Sequence, residues 1–85
     1  MQQCLAIFRS RTQTVGFIQY MRSQGIEIKA INTPAEAKIG CGISACFSVS
    51  QVAFARQVIS ALGLTSFRGF YIIQKDGFKQ IITKL

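Results

Sequence analysis

The sequence predicts a single α+β domain of the split β-α-β type. Three observations support this fold class. The chain has only 85 residues and 49% of them are hydrophobic, so its length suits one apolar core. Short apolar or alternating runs, typical of strands, are separated by two amphipathic segments with helical spacing. These segments follow one another in the order β-α-β-β-α-β. Residues 1–85 are therefore interpreted as one domain.

The boundaries of the predicted elements come from capping and breaking residues. The elements are strands at 3–8, 27–32, 43–49, 66–74 and 78–85, with helices at about 11–24 and 51–62. Ser10 and Ser50 are candidate N-caps, because a serine hydroxyl accepts a hydrogen bond from a free N–H of the first helical turn. Gly25 and Gly63 are candidate helix ends, where a positive φ is needed.

The C-terminal segment 78–85 allows two interpretations. Its apolar residues also fit helical spacing, but the preceding Asp76-Gly77 pair is typical of a two-residue hairpin and favours a fifth strand. The first four strands and two helices match the ferredoxin-like motif, with sheet order 4-1-3-2 and both helices on one face. This topology brings residues 8–11 close to residues 39–42.

The charge of the chain is strongly positive but dispersed. Ten Lys and Arg residues stand against three Asp and Glu residues, giving a net charge of +7. There is no dense basic block and no Gly-aromatic signature of an RNA-recognition strand. We interpret the charge as a solvated basic surface. Weak, non-specific and salt-sensitive binding of nucleic acid is the alternative.

The composition also indicates the compartment. No apolar run reaches the roughly 18 residues that a membrane-spanning helix requires. The N-terminal segment 1–4 lacks the basic region of a signal peptide. Three cysteines without a histidine suit a reducing compartment better than a secreted disulfide framework. We therefore expect a cytoplasmic protein without membrane contact.

Cys41 is the candidate reactive residue. It lies in the loop between the second and third strands, and Gly40 and Gly42 flank it. Flanking glycines leave a side chain with little steric cover and permit unusual backbone angles. Such a thiol suits a persulfide or selenium carrier. The alternative is that Cys41 is simply a small residue in a tight turn.

The turn before the first helix is the candidate anion-binding element. A thiolate is stabilised by nearby arginines and by a helix N-terminus. The topology brings Arg9, Ser10 and Arg11 to the same edge of the sheet as Cys41. These three residues are therefore expected to stabilise a sulfur anion there.

The other two cysteines are assigned different roles. Cys4 lies in the apolar first strand and is interpreted as a buried small hydrophobe. Cys46 is on the polar face of the third strand, about 16 Å from Cys41 along an extended chain. That distance is too long for a disulfide without rearrangement. Without a histidine or a Cys-x-x-Cys pair, no metal site is predicted, and no cofactor is expected.

Four short motifs carry a resemblance to a known family. They are Phe8-Arg9-Ser10, Gly25-Ile26, Thr33-Pro34 and Cys41-Gly42. Together they make residues 4–74 resemble the selenium/sulfur carrier-like family of small bacterial proteins. The resemblance implies a ferredoxin-like domain whose cysteine accepts sulfur or selenium from a cysteine desulfurase-type donor and passes it to an acceptor. Such a protein is a covalent carrier rather than a turnover enzyme.

The loop and the sheet add two further expectations. Thr33, Pro34, Gly40 and Gly42 are expected to shape the loop that holds Cys41. The fourth strand has apolar residues on both faces, so one sheet face needs cover, and a homo-oligomer is the simplest cover. A structural homodimer, or a basic module that binds RNA or an acidic protein, are thus the alternatives to a carrier.

Overall fold

The computed structural model describes residues 2–37 and 40–85. The chain forms β1 (Gln3–Phe8), α1 (Arg11–Ser23), β2 (Ile28–Asn32), a 3-10 turn (Ala35–Ala37), β3 (Ile43–Ser48), a second 3-10 turn (Val49–Gln51), α2 (Val52–Leu62), β4 (Phe67–Asp76) and β5 (Lys79–Lys84). The five strands form one sheet in the order β2-β3-β1-β4-β5, and every neighbouring pair is antiparallel.

The observed order confirms the ferredoxin-like prediction, since it is 4-1-3-2 with a fifth strand added beside β4. The C-terminal segment is the predicted strand rather than a helix. Gly77, with φ 63°, supports the turn between β4 and β5. In the described part of the chain, no helix has the length and apolar character needed to cross a membrane.

β1 is the centre of the sheet and the most buried element. It pairs with β3 on one side and β4 on the other. Because side chains alternate across a strand, Cys4, Ala6 and Phe8 face the helices, whereas Leu5 and Ile7 belong to a smaller cluster on the opposite face. All five side chains are fully buried. The continuous apolar run of β1 therefore reflects burial on both faces.

A group of phenylalanines fixes the start of α1 over the end of β1. Phe8 lies 5.3 Å from Phe17 of α1 and 5.4 Å from Phe67 of β4, measured between ring centroids. Phe47 and Phe70 extend the group across β3 and β4. Each such pair contributes about 0.5–1.5 kcal/mol beyond the area it buries. Through Phe17, α1 is consequently packed against the end of the sheet where β1 ends.

The two helices begin differently. Ser10 is the N-cap of α1 as predicted, and its Oγ accepts a hydrogen bond from the N–H of Gln13. The prediction that Ser50 is the N-cap of the second helix is wrong. β3 ends at Ser48, whose hydroxyl accepts from the N–H of Ser50 and starts a 3-10 turn. α2 begins only after Gln51, which makes no side-chain cap.

The sheet face without helices, called here the open face, is partly covered by the chain itself. Ala37 of the first 3-10 turn packs against the cluster formed by Leu5, Ile7 and Cys46. The polar face of β3 was expected to be exposed, but Ser44 and Cys46 are both buried. Ser44 lies against Thr33 of the segment between β2 and β3, and Cys46 donates to the Gln3 side chain.

Candidate functional site

Three connections meet at the sheet edge where β1 ends, as the topology predicted. The N–H of Cys41 donates to the carbonyl of Phe8 at 2.9 Å. The N–H of Arg9 donates to the carbonyl of Ser66, in the connection between α2 and β4, at 2.9 Å. Backbone hydrogen bonds thus tie Cys41 and the α2–β4 connection to the β1–α1 turn. The proximity of residues 8–11 to the Cys41 loop is confirmed.

The sulfur of Cys41 has two polar neighbours. Its Sγ donates to the Ile43 carbonyl at 3.2 Å and lies 3.5 Å from Thr14 Oγ1. Thr14 is fully buried, whereas Cys41 is half-buried. Thr14 was not among the site residues that the sequence predicted. The overlooked signal was its position in the first helical turn, at the edge that faces the Cys41 loop.

Thr33 binds the loop around Cys41 through both its side chain and its backbone. Its Oγ1 donates to the Cys41 carbonyl at 2.7 Å and lies 2.6 Å from Ser44 Oγ. Its N–H donates to the Gly42 carbonyl at 3.0 Å. The carbonyl of Pro34 closes the 3-10 turn that follows. The backbone around Cys41 is therefore held by hydrogen bonds while the side chain stays partly exposed.

The two positions beside Cys41 differ in whether they require a glycine. Gly40 has φ 84°, and a Cβ there would overlap the Ile7 side chain and come within 3.1 Å of the Phe8 carbonyl oxygen. Gly42 has open space around its Cα and no positive φ. A glycine is thus needed for the close approach at 40 but not on steric grounds at 42. Ile39, also part of the predicted loop, lies outside the described residues.

The structure places one hydroxyl group, that of Thr14, next to the sulfur. Arg9 and Arg11 are both exposed, and Arg11 borders a shallow groove on the outer surface of α1. Ser10 acts through its backbone, since its carbonyl accepts from Thr14 Oγ1 at 2.9 Å. Within residues 2–37 and 40–85, the hydrogen-bond partners of Cys41 Sγ are Thr14 and Ile43. Anion binding by the two arginines stays a prediction.

The remaining cysteines are buried, and no cysteine forms a disulfide. Burial, with a smaller contribution from Cys46, raises the pKa of the Cys4 thiol to about 12. Cys46 donates to Gln3 Oε1 at 3.0 Å. Burial raises the pKa of Cys46 as well, although the positive charge of Lys29 acts against this effect. Both thiols are thus held protonated at neutral pH.

Metal ligands do not cluster in the part of the chain that the structure describes. There, no group of three or more His, Cys, Asp or Glu side chains is arranged to hold an ion.

The fold and the site define a class of protein: a small ferredoxin-like α+β domain with one half-buried cysteine at the end of its sheet, beside the Thr14 hydroxyl. Residues 3–71 match the family model described as "Putative Se/S carrier protein-like", and the chain belongs to this family. No curated protein and no solved structure gives a match. The family match includes the whole Cys41 site and ends within β4, before the hairpin to β5.

Proposed function

We propose that the protein carries sulfur or selenium as a persulfide or selenopersulfide on Cys41. The observation that supports this most is the difference in exposure among its three thiols. Cys41 is half-buried at the sheet edge, whereas Cys4 and Cys46 are buried within strands. A carrier must present its sulfur to two successive partners, and Cys41 is the thiol that is open to them. Membership of a family described by sulfur and selenium carriage agrees with this proposal.

The loading step is an exchange between two sulfur compounds. The Cys41 thiolate attacks the outer sulfur of a donor persulfide, R–S–SH, and the S–S bond of the donor breaks as the new bond forms. The products are Cys41–S–SH and the donor thiolate R–S⁻, which takes up the proton that Cys41 released. With a donor R–S–SeH, the same exchange gives Cys41–S–SeH. Neither exchange needs an external oxidant or reductant.

The discharge step reverses the roles of the sulfurs. A nucleophilic thiolate of the acceptor attacks the outer sulfur, and Cys41 Sγ leaves as a thiolate. The carrier returns to its starting form after each transfer. A cysteine desulfurase-type enzyme is a suitable class of donor, because such enzymes hold a persulfide on their own cysteine.

Loading is tested with a cysteine desulfurase and free cysteine, followed by intact-mass spectrometry and peptide mapping. We expect the wild type and Cys46→Ser to gain one sulfur atom on the peptide that contains Cys41. Cys41→Ser should gain none. A sulfur gain that is unchanged in Cys41→Ser, or absent from the wild type with several desulfurases, would contradict the proposal.

A second candidate function rests on the charge of the open face. Lys29, Lys75 and Lys84 all lie on this face by strand register. They surround an apolar centre that includes the half-buried Tyr71. A homodimer through this face would bring the lysines of two copies into one interface. Repulsion between these like charges would destabilise the dimer. An anionic partner, such as single-stranded RNA, suits the face better.

The test compares two lysines on opposite faces of one hairpin. Lys75→Ala should weaken the binding of a single-stranded RNA oligonucleotide and reduce the magnitude of its salt dependence by about one counterion. Lys79→Ala, on the other face, is the matched control and should change little. If the two variants bind RNA equally well, the open face is not the binding site.

The homodimer is tested by sedimentation at about 100 μM, above a micromolar Kd. A dimer at this concentration would support it, and a monomer would contradict it.

A further inference from the structure

The hydroxyl of Thr14 is placed between two hydrogen-bond acceptors. Its Oγ1 lies 2.9 Å from the Ser10 carbonyl oxygen and 3.5 Å from Cys41 Sγ. A hydroxyl has a single proton and can donate to only one of them at a time. While Cys41 is a neutral thiol, its own proton goes to the Ile43 carbonyl. The Thr14 proton then goes to Ser10.

We propose that Thr14 is a positioning residue that stabilises the anionic sulfur of Cys41 by redirecting its hydroxyl proton. This inference rests on the proposed carrier function. When Cys41 loses its proton, Sγ has nothing left to donate to the Ile43 carbonyl and becomes an acceptor. Rotation of the Thr14 hydroxyl then gives the sulfur a buried donor, and no heavy atom needs to move far.

The redirected proton leaves the Ser10 carbonyl with a hydrogen-bond donor. The Ser10 carbonyl also accepts the backbone N–H of Thr14 at 3.0 Å. It therefore keeps one hydrogen bond after the hydroxyl turns away. An unsatisfied buried acceptor is destabilising, and the Ser10 carbonyl avoids that penalty. Thr14 thus serves the neutral and the anionic forms of Cys41 alike.

Both halves of the transfer benefit from this donor. During loading, Thr14 increases the fraction of Cys41 present as the attacking thiolate. During discharge, Cys41 Sγ is the leaving group, and the same hydrogen bond stabilises the negative charge that develops on it. Removal of the hydroxyl should slow both steps.

The charged side chains nearest to Thr14 along the chain do not share its burial. Arg9 of the β1–α1 turn and Arg11, the first residue of α1, are exposed, so solvent weakens any effect of their charges on the sulfur. Lys38, which precedes Cys41 in the same loop, lies outside the described residues. Thr14, by contrast, is fully buried, and a hydrogen bond from it is not screened in this way.

The test compares Thr14→Val, which keeps the shape and removes the hydroxyl, with Thr14→Ser, which keeps the hydroxyl. The rate of Cys41 alkylation by iodoacetamide is followed by peptide mapping at about pH 7.5 and about pH 10, on either side of the ordinary titration of a thiol. Circular dichroism confirms folding at both values. Thr14→Val should react about two- to tenfold more slowly near neutral pH, reflecting one lost hydrogen bond. At alkaline pH it should match the wild type. Thr14→Ser should behave as the wild type.

Two results would overturn the inference: a Thr14→Val rate equal to that of the wild type at both pH values, or a rate equally reduced at both. The second result would indicate altered access rather than a stabilised anion. If Thr14→Val does not fold, Thr14→Ala against Thr14→Ser gives the same comparison.

Failure of the carrier proposal is distinguishable, because alkylation needs no sulfur donor. A wild type that accepts no sulfur but shows the Thr14 effect contradicts the carrier function alone. A wild type that loads normally without a Thr14 effect contradicts the inference alone.

Discussion

Cys41 and Cys46 belong to the same stretch of chain and have opposite surroundings. Cys41 comes just before β3, where the sulfur lies half-buried between a threonine hydroxyl and a backbone carbonyl. Cys46 lies inside β3, where the sulfur is buried and donates to the Gln3 side-chain amide. Burial raises the pKa of Cys46. The difference shows that a thiol stays partly exposed where the strand has not yet begun and becomes buried where neighbouring strands enclose it.

The largest expected effect comes from moving the Cys41 loop. Gly40→Ala should lower the free energy of unfolding by at least about 2 kcal/mol, because the positive φ is costly for alanine and its Cβ overlaps Ile7. Denaturant unfolding measures the change. Any folded fraction should also show altered labelling of Cys41, since the loop must shift away from β1.

Gly42→Ala is the matched control on the other side of Cys41. Its Cβ has open space and its φ is not in the left-handed region, so the free energy of unfolding should change by less than about 1 kcal/mol. Equal destabilisation by the two substitutions would show that the loop does not approach β1 in the way described.

The buried cysteines make stability depend on alkaline pH. An unfolded Cys4 releases its proton near pH 9.0, its ordinary pKa, whereas the folded thiol retains it to about 12. Between these values the folded protein binds more protons than the unfolded chain. The free energy of unfolding should therefore fall as the pH rises from about 9 to about 12. Cys46 acts in the same direction.

Denaturant unfolding at a series of alkaline pH values measures this decline. Cys4→Ala removes the group and should flatten the decline, although it lowers stability at neutral pH by leaving a small cavity. An identical alkaline slope in the wild type and Cys4→Ala would contradict the assignment.

A smaller effect is expected where the first turn of α1 supports the site. Ser10→Ala should lower the free energy of unfolding by about 1 kcal/mol, because it removes the acceptor for the Gln13 N–H. Thermal unfolding measures the loss. Ser60→Ala, at an exposed position in α2, is the control and should not destabilise, since alanine favours a helix interior.

The sequence was sufficient for most of the fold because its signals are local. The Ser10 cap, the Gly25 and Gly63 ends and the Asp76-Gly77 turn each depend on the conformation of a few neighbouring residues. The strand order followed from the β-α-β-β-α-β succession and the topology it favours. That order in turn placed Cys41 beside the β1–α1 turn.

The details that the sequence did not reveal depend on contacts between distant segments. Ser44 and Cys46 alternate with apolar residues, a pattern typical of an exposed polar face, but both are buried, Ser44 against Thr33 and Cys46 against the Gln3 side chain. Ser50 looked like a helix cap, yet β3 ends at Ser48 and a 3-10 turn intervenes. The contact between Thr14 and Cys41 was missed because a threonine among the inward-facing residues of a helix resembles an ordinary core residue, although its place in the first turn of α1 pointed to the Cys41 loop.

The central claim is that Cys41, and neither of the other two thiols, is available for chemistry in the folded protein. It is tested most directly by brief alkylation of the native wild type near neutral pH, with the modified residues identified by peptide mapping. The account predicts that the label appears on Cys41, and on Cys4 and Cys46 only after denaturation. Native labelling of Cys46 at a rate equal to or above that of Cys41 would contradict it.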